Sequence, residues 1–93
     1  MTREQIAAFI EERGLDEYEI LLADGFDDAF MGLVERAGSS QPVACYDRDR
    51  CIEILMEQGI GDYTDAVEYF DFNVIGAYVG DGTPYFMTRM QAS

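Results

Sequence analysis

Three carboxylates, Asp24, Asp27 and Asp28, crowd around Gly25 and Phe26 in the stretch LLADGFDDAFMGLVE, residues 21–35. A second acidic pair, Asp47 and Asp49, lies in YDRDR (46–50), and Asp81 stands between Gly80 and Gly82. Convergent carboxylates can do general acid–base work or hold a hard cation such as Mg²⁺ or Ca²⁺ through oxygen. An EF-hand-type loop needs oxygen ligands at alternate positions and a distant bidentate Glu, and the spacing here does not supply them. The same residues have a simpler use. Asp-Gly is a strong hairpin-turn signal, and Asp bonds readily to its own backbone two residues on. Asp47 stands where a helix N-cap belongs, with Asp49 in the first turn. The sequence therefore predicts a hairpin turn at Asp24–Gly25, a cap at Asp47 and a turn at Asp81, with no catalytic residue and no metal ligand assigned. A carboxylate-based, metal-dependent enzyme or ligand-binding protein would need at least three of Asp24, Asp27, Asp28 and Asp47 to converge in one cavity.

Absent residue types narrow the chemistry further. All six basic side chains are arginine; there is no lysine and no histidine. Ser-His and Cys-His nucleophile pairs, an imidazole base or metal ligand, a Schiff base and a phosphate-loop lysine are all excluded. Cys45 and Cys51 are the only cysteines. Two thiolates cannot close a structural zinc site, and their spacing is not Cys-x-x-Cys. They read as small buried hydrophobes, with a reversible disulfide as the alternative. No cofactor is implied.

The elements that position these residues follow from periodicity and punctuation. Residues 2–13 predict a helix: Thr2 and Gln5 form a capping box, Ile6, Phe9 and Ile10 share a face, and Gly14 supplies the stop. YEILLA (18–23) is short, apolar and β-compatible, which predicts a first strand. AFMGLVERA (29–37) predicts a second strand, with Gly32 marking a bulge or close packing and a short helix as the alternative. Pro42 opens a third strand, Val43–Tyr46. A helix then runs from the Asp47 cap to Gly59, with Cys51, Ile52, Leu55 and Met56 as its apolar stripe. Asp62 and Asp65 begin another, whose face carries Tyr63, Ala66, Val67, Phe70, Val74, Ala77 and Tyr78 until Gly80 and Gly82 break it. TPYFMT (83–88) predicts an edge strand, because Pro84 cannot donate to a ladder. The expected fold is a single α+β domain over residues 1–93, with order α-β-β-β-α-α-β. Three helices would cover one face of a mainly antiparallel sheet of about four strands.

Charge and aromatic content bear on partners. Nineteen acidic residues against six basic ones leave a net charge of −13. Such a chain repels nucleic acid and anionic membrane, although it can occupy a basic protein surface that ordinarily holds nucleic acid. Acidity also serves plain solubility. No run approaches the roughly 18 apolar residues of a membrane span, and MTREQIAAF lacks the basic-then-apolar order of a signal peptide, so a cytoplasmic protein is expected. Tyr46, Tyr63, Tyr69, Tyr78, Tyr85, Phe26, Phe72 and Phe86 exceed the needs of one small core, and surplus aromatics on a surface mark protein contact. Asn73, amid apolar neighbours, reads as bonding a nearby loop backbone, or as a polar anchor in a pocket or interface.

Taken together, ADGFDDAFMG (23–32), YDRDRCIEIL (46–55) and AVEYFDFNVIGAYVGDGTP (66–84) resemble a family of small bacteriophage and prophage proteins without an assigned activity. Residues 1–20 carry none of the resemblance. It implies a phage-type protein in the bacterial cytoplasm and nothing about catalysis. The resulting expectation is a non-enzymatic interaction module that binds a bacterial or phage protein, inhibiting a host defence or nucleic-acid-binding factor by charge mimicry. The expected contact residues are Asp24, Phe26, Asp27, Asp28, Asp81, Tyr85 and Phe86. A homodimer is left open, and a phage structural or assembly component is the further alternative.

Overall fold

Each of the three expected helices begins at its expected cap. In the computed structural model, which describes residues 1–38, 41–77, 80 and 82–90, α1 spans Arg3–Glu12. The Gln5 N–H donates to the Thr2 hydroxyl (3.2 Å) and the Thr2 N–H donates to Gln5 Oε1 (2.9 Å), the reciprocal capping box. Gly14, at φ 69°, turns the chain so that the Leu15 N–H bonds back to the Ile10 carbonyl (3.1 Å). In α2 (Arg48–Glu57) the Asp47 carboxylate accepts from the N–H groups of Asp49 and Arg50. Asp62 and Asp65 box the start of α3 (Tyr63–Asn73).

The sheet differs from expectation in two ways. Among the described residues it has three strands, β1 (Phe30–Val34), β2 (Val43–Asp47) and β3 (Tyr85–Met87), in the order β1-β2-β3. β1 and β2 are antiparallel, whereas β2 and β3 are parallel, so the sheet is mixed. The chain leaves β2 through α2 and α3, and a crossover of this kind returns a strand parallel to the first. YEILLA forms no strand, and the element order is α-β-β-α-α-β. Its apolar residues are nonetheless used: Ile20, Leu22 and Ala23 pack on the core from an irregular loop. The loop's polar backbone is satisfied by side chains instead of a ladder. The Ala23 N–H donates to Tyr46 Oη (2.8 Å), and Gln41 Nε2 donates to the Glu19 carbonyl (3.2 Å). The Asp24–Gly25 turn exists, closed by the Phe26 N–H on the Ala23 carbonyl (3.4 Å), but it joins a loop to a 3₁₀ turn and makes no hairpin. The bulge expected at Gly32 is present. Phe30 pairs with Tyr46 and Gly32 with Cys45, so β1 carries one extra residue there, with Gly32 at φ 145°.

Helix α3 ends earlier than its apolar pattern. Val74 closes it, and a 3₁₀ turn, Ile75–Ala77, follows at a β-branched pair and Gly76. Tyr78 lies outside the described residues. On α2 the buried stripe is Cys51, Ile52, Ile54 and Leu55, while Met56 is exposed.

Strand alternation divides the sheet into two unlike faces. Ala44 and Tyr46 of β2, with Phe86 of β3, join the core formed with α2 and α3. Tyr46 and Phe70 are fully buried. Around them, Phe30 meets Tyr46 edge-on (5.7 Å between centroids), Phe86 stacks on Tyr46 (5.6 Å), and Phe70 meets both Phe86 (5.1 Å) and Phe26 (6.3 Å) edge-on. The Tyr46 hydroxyl is the acceptor on which a buried backbone donor depends. Tyr46→Phe is therefore expected to destabilise the fold by about 1–3 kcal/mol, since the Ala23 N–H keeps its burial and loses its partner. Urea unfolding of the two proteins checks this, and equal midpoints would show that the loop is not held by that bond.

Candidate functional site

The acidic residues of the 24–28 turn are all ion-paired, by two cations. Arg3 reaches from the first residue of α1 and takes two of them: its Nη2 lies 3.1 Å from both Asp24 Oδ1 and Asp27 Oδ1, and its Nε donates to Asp27 as well. Asp28 accepts from the Met1 α-amino group (2.8 Å), whose hydrogen bond and charge hold the Asp28 carboxyl below its ordinary range. Asp47 caps α2 through one oxygen, and its other accepts from Arg89 Nη1 (3.1 Å). Among the described residues no group of three His, Cys, Asp or Glu side chains is placed to hold a metal ion. Asp24 and Asp27 share Arg3, Asp28 takes the N-terminus, and Asp47 takes Arg89 together with the α2 cap. Asp81 lies outside the described residues.

The aromatic candidates separate into inside and outside. Phe26 is only 6% exposed and packs on Phe70, so the one aromatic of the acidic turn faces inward. Phe86 is half-buried against Tyr46 and Phe70. Phe26 and Phe86 therefore meet through Phe70 in the interior and do not form a surface with the Asp24–Asp28 carboxylates. Tyr85, alternate to Phe86 on β3, is 41% exposed. Tyr63, Tyr69 and Phe72 lie on the outside of α3, with Phe72 82% exposed. Asn73 donates from Nδ2 to the Tyr69 carbonyl (3.2 Å), one turn back in its own helix and not in a neighbouring loop.

Tyr85 belongs to the second face of the sheet, with its register partner Cys45. Val43 and Cys45 of β2 lie there, and both are buried. The Tyr85 phenol bridges from β3 to Arg36, just past β1, with Arg36 Nη1 donating to Tyr85 Oη (3.4 Å). Beside it opens an apolar groove of about 510 Å³, lined by Val34, Cys45, Ile75, Thr83, Tyr85 and Met87 among others. The Thr83 hydroxyl oxygen is buried and has no hydrogen-bond partner. Ile75 (45% exposed) and Met87 (42%) leave the groove's rim open to solvent. Of these residues only Tyr85 and its neighbour Phe86 are legible as contacts from the sequence. Met87 follows from the two-residue period of a strand that puts Tyr85 outside. Ile75 follows from nothing local, because the helical pattern runs straight through it. Arg36 carries no signal in its own stretch.

Both thiols are free and buried. Cys45 contributes its side to the groove, and burial together with the Asp47 charge pushes its thiol up. Burial pushes the Cys51 thiol up to about 12. An unfolded thiol ionises near pH 9, so the contribution of Cys51 is complete below that pH and is lost as pH rises from about 9 to about 12. The expected slope is about 1.4 kcal/mol per pH unit within that window. Cys51→Ala removes this ionisation, and its stability, measured by urea unfolding, is expected to fall less steeply there than that of the unaltered protein. Parallel slopes would show that the thiol ionises freely in the fold. No family model, curated protein or solved structure matches the chain.

Proposed function

We propose that this chain is a non-enzymatic protein of phage or prophage type that acts in the bacterial cytoplasm by binding another protein, bacterial or phage. The binding surface is the end of α3, the Ile75–Ala77 turn and β3. The observation that carries this reading is the open apolar groove of about 510 Å³ beside β3, whose rim residues Ile75, Tyr85 and Met87 are each more than 40% exposed. Contiguous exposed apolar residues on a small domain are costly unless a partner covers them, and Tyr and Met are enriched where one does.

Charge supports the choice of partner. Of eighteen described carboxylate side chains, seven are ion-paired and eleven are not. This surplus draws in a cationic protein over long range and opposes nucleic acid itself. Where the partner's basic surface ordinarily holds nucleic acid, this chain occludes it, which makes it an inhibitor by charge mimicry. A membrane role has no support from the helices, since none among the described residues is long and apolar enough to cross a bilayer.

The test is affinity capture from bacterial lysate at low and high salt, with the unaltered chain and a Tyr85→Ser/Met87→Ser variant as baits, followed by rebinding of the purified captive. A basic protein held by the unaltered chain, released by salt, and bound roughly tenfold more weakly by the variant is the expected outcome. Equal retention by both baits, or a bait that holds no protein and binds a small ligand, would overturn the reading.

A further inference from the structure

We infer that the groove beside β3 receives an extended segment of a cationic protein, which adds to the sheet as a fourth strand along the outer edge of β3. This rests on the protein-binding reading above and specifies its mode. β3 ends the sheet order, and among the described residues no backbone–backbone hydrogen bond reaches Tyr85–Met87 from the side away from β2. An edge strand is a template for another strand unless it is blunted. The opposite edge, β1, is blunted by its bulge at Gly32. β3 has no bulge and no charge within Tyr-Phe-Met, and Pro84 stands before it, not in it. An added strand would place every second side chain toward the groove. Its backbone would also run close to the groove wall, where the Thr83 hydroxyl is buried without a partner.

The choice of a cationic protein over a second copy comes from charge. Two copies would each bring a net charge of −13 to the contact, and they repel. Next to the groove, Arg36 donates to the Tyr85 hydroxyl, and Asp47, the register partner of Met87, is paired with Arg89. The lining is largely apolar, which suits apolar side chains, while basic side chains on the same segment are drawn by the chain's net charge of −13.

The test uses the isotope-labelled full chain and three short synthetic peptides of equal length. One alternates lysine and valine, one keeps the same lysines with proline replacing every second valine, and one alternates glutamate and valine. The expected result is that the Lys-Val peptide shifts the Tyr85–Met87 amides and slows their hydrogen exchange. The proline peptide, unable to form a ladder, and an Ile75→Ser/Met87→Ser variant of the chain should each weaken binding at least tenfold, and the glutamate peptide should not bind. Equal binding of the lysine and proline peptides, with shifts scattered over the acidic surface, would overturn the inference as general charge attraction. Protection of β3 without peptide, alongside a doubling of mass with concentration, would overturn it in favour of a second copy. Lysate capture that depends on Tyr85 and Met87, without peptide protection of β3, would overturn strand addition and leave the protein-binding reading standing. Failure of both experiments would remove both.

Discussion

The stacked and edge-on contacts of Tyr46 hold the architecture together. Tyr46 sits on the central strand, so both edge strands lean on it, β1 through Phe30 and β3 through Phe86. Phe70 of α3 meets Phe86 in turn, which docks the helix layer on the same rings. The far end of the Tyr46 ring carries a hydroxyl that accepts from the Ala23 N–H, so one side chain organises the sheet and anchors the 15–26 loop. An aromatic residue with a polar tip suits this position because its ring buries a large apolar area while its hydroxyl spares a backbone group an unpaired burial. Phenylalanine would serve the strands and fail the loop.

A chain of 93 residues has too little core to cover two faces of a sheet. The core formed with α2 and α3 lies on the Tyr46 face, while Val43 and Cys45 alternate onto the other. Tyr85, tethered to Arg36, does part of that covering. The groove with Ile75 and Met87 at its rim is what this economy leaves open. The exposed surface proposed for binding is thus a consequence of chain length and strand alternation, which is why it lies beside β3 and not at the acidic turn that draws the eye in the sequence.

The parts legible in the sequence are those decided within a few residues. Thr2 with Gln5, Asp47, and Asp62 with Asp65 each fix a helix start through side-chain bonds three residues or fewer away, and Gly14 and Gly59 fix two of the ends. The Gly32 bulge is equally local. YEILLA misleads because an apolar run reports burial, not hydrogen bonding, and the partner that frees it from a ladder, Tyr46, lies 23 residues from Ala23. The direction of β3 is set by how two helices return the chain, which no single stretch encodes. Phe26 misleads for a related reason. Its neighbours in sequence are acidic and exposed, yet the turn at Gly25 sends its ring the other way, onto Phe70.

The arginines and the acidic surplus play separate parts. Arg3 ties α1 to the 24–28 turn, Arg89 ties the chain after β3 to the cap of α2, and Arg48 lies over the Phe70 ring (4.8 Å) while pairing with Asp71. Each exposed pair contributes about 0–1 kcal/mol, so these contacts fix geometry more than they stabilise. The unpaired carboxylates contribute no such contact, and their mutual repulsion opposes the folded state. Their effect reaches outward instead, where a field of one sign raises the rate of encounter with a cationic surface and fades as salt screens it. Residence time is governed by short-range burial, and the acidic surface offers little of that. Under the proposed protein-binding reading, net acidity and the apolar groove would divide recognition into fast capture by charge and slow release by packing, separable because salt acts on the first and substitutions at Ile75, Tyr85 and Met87 act on the second.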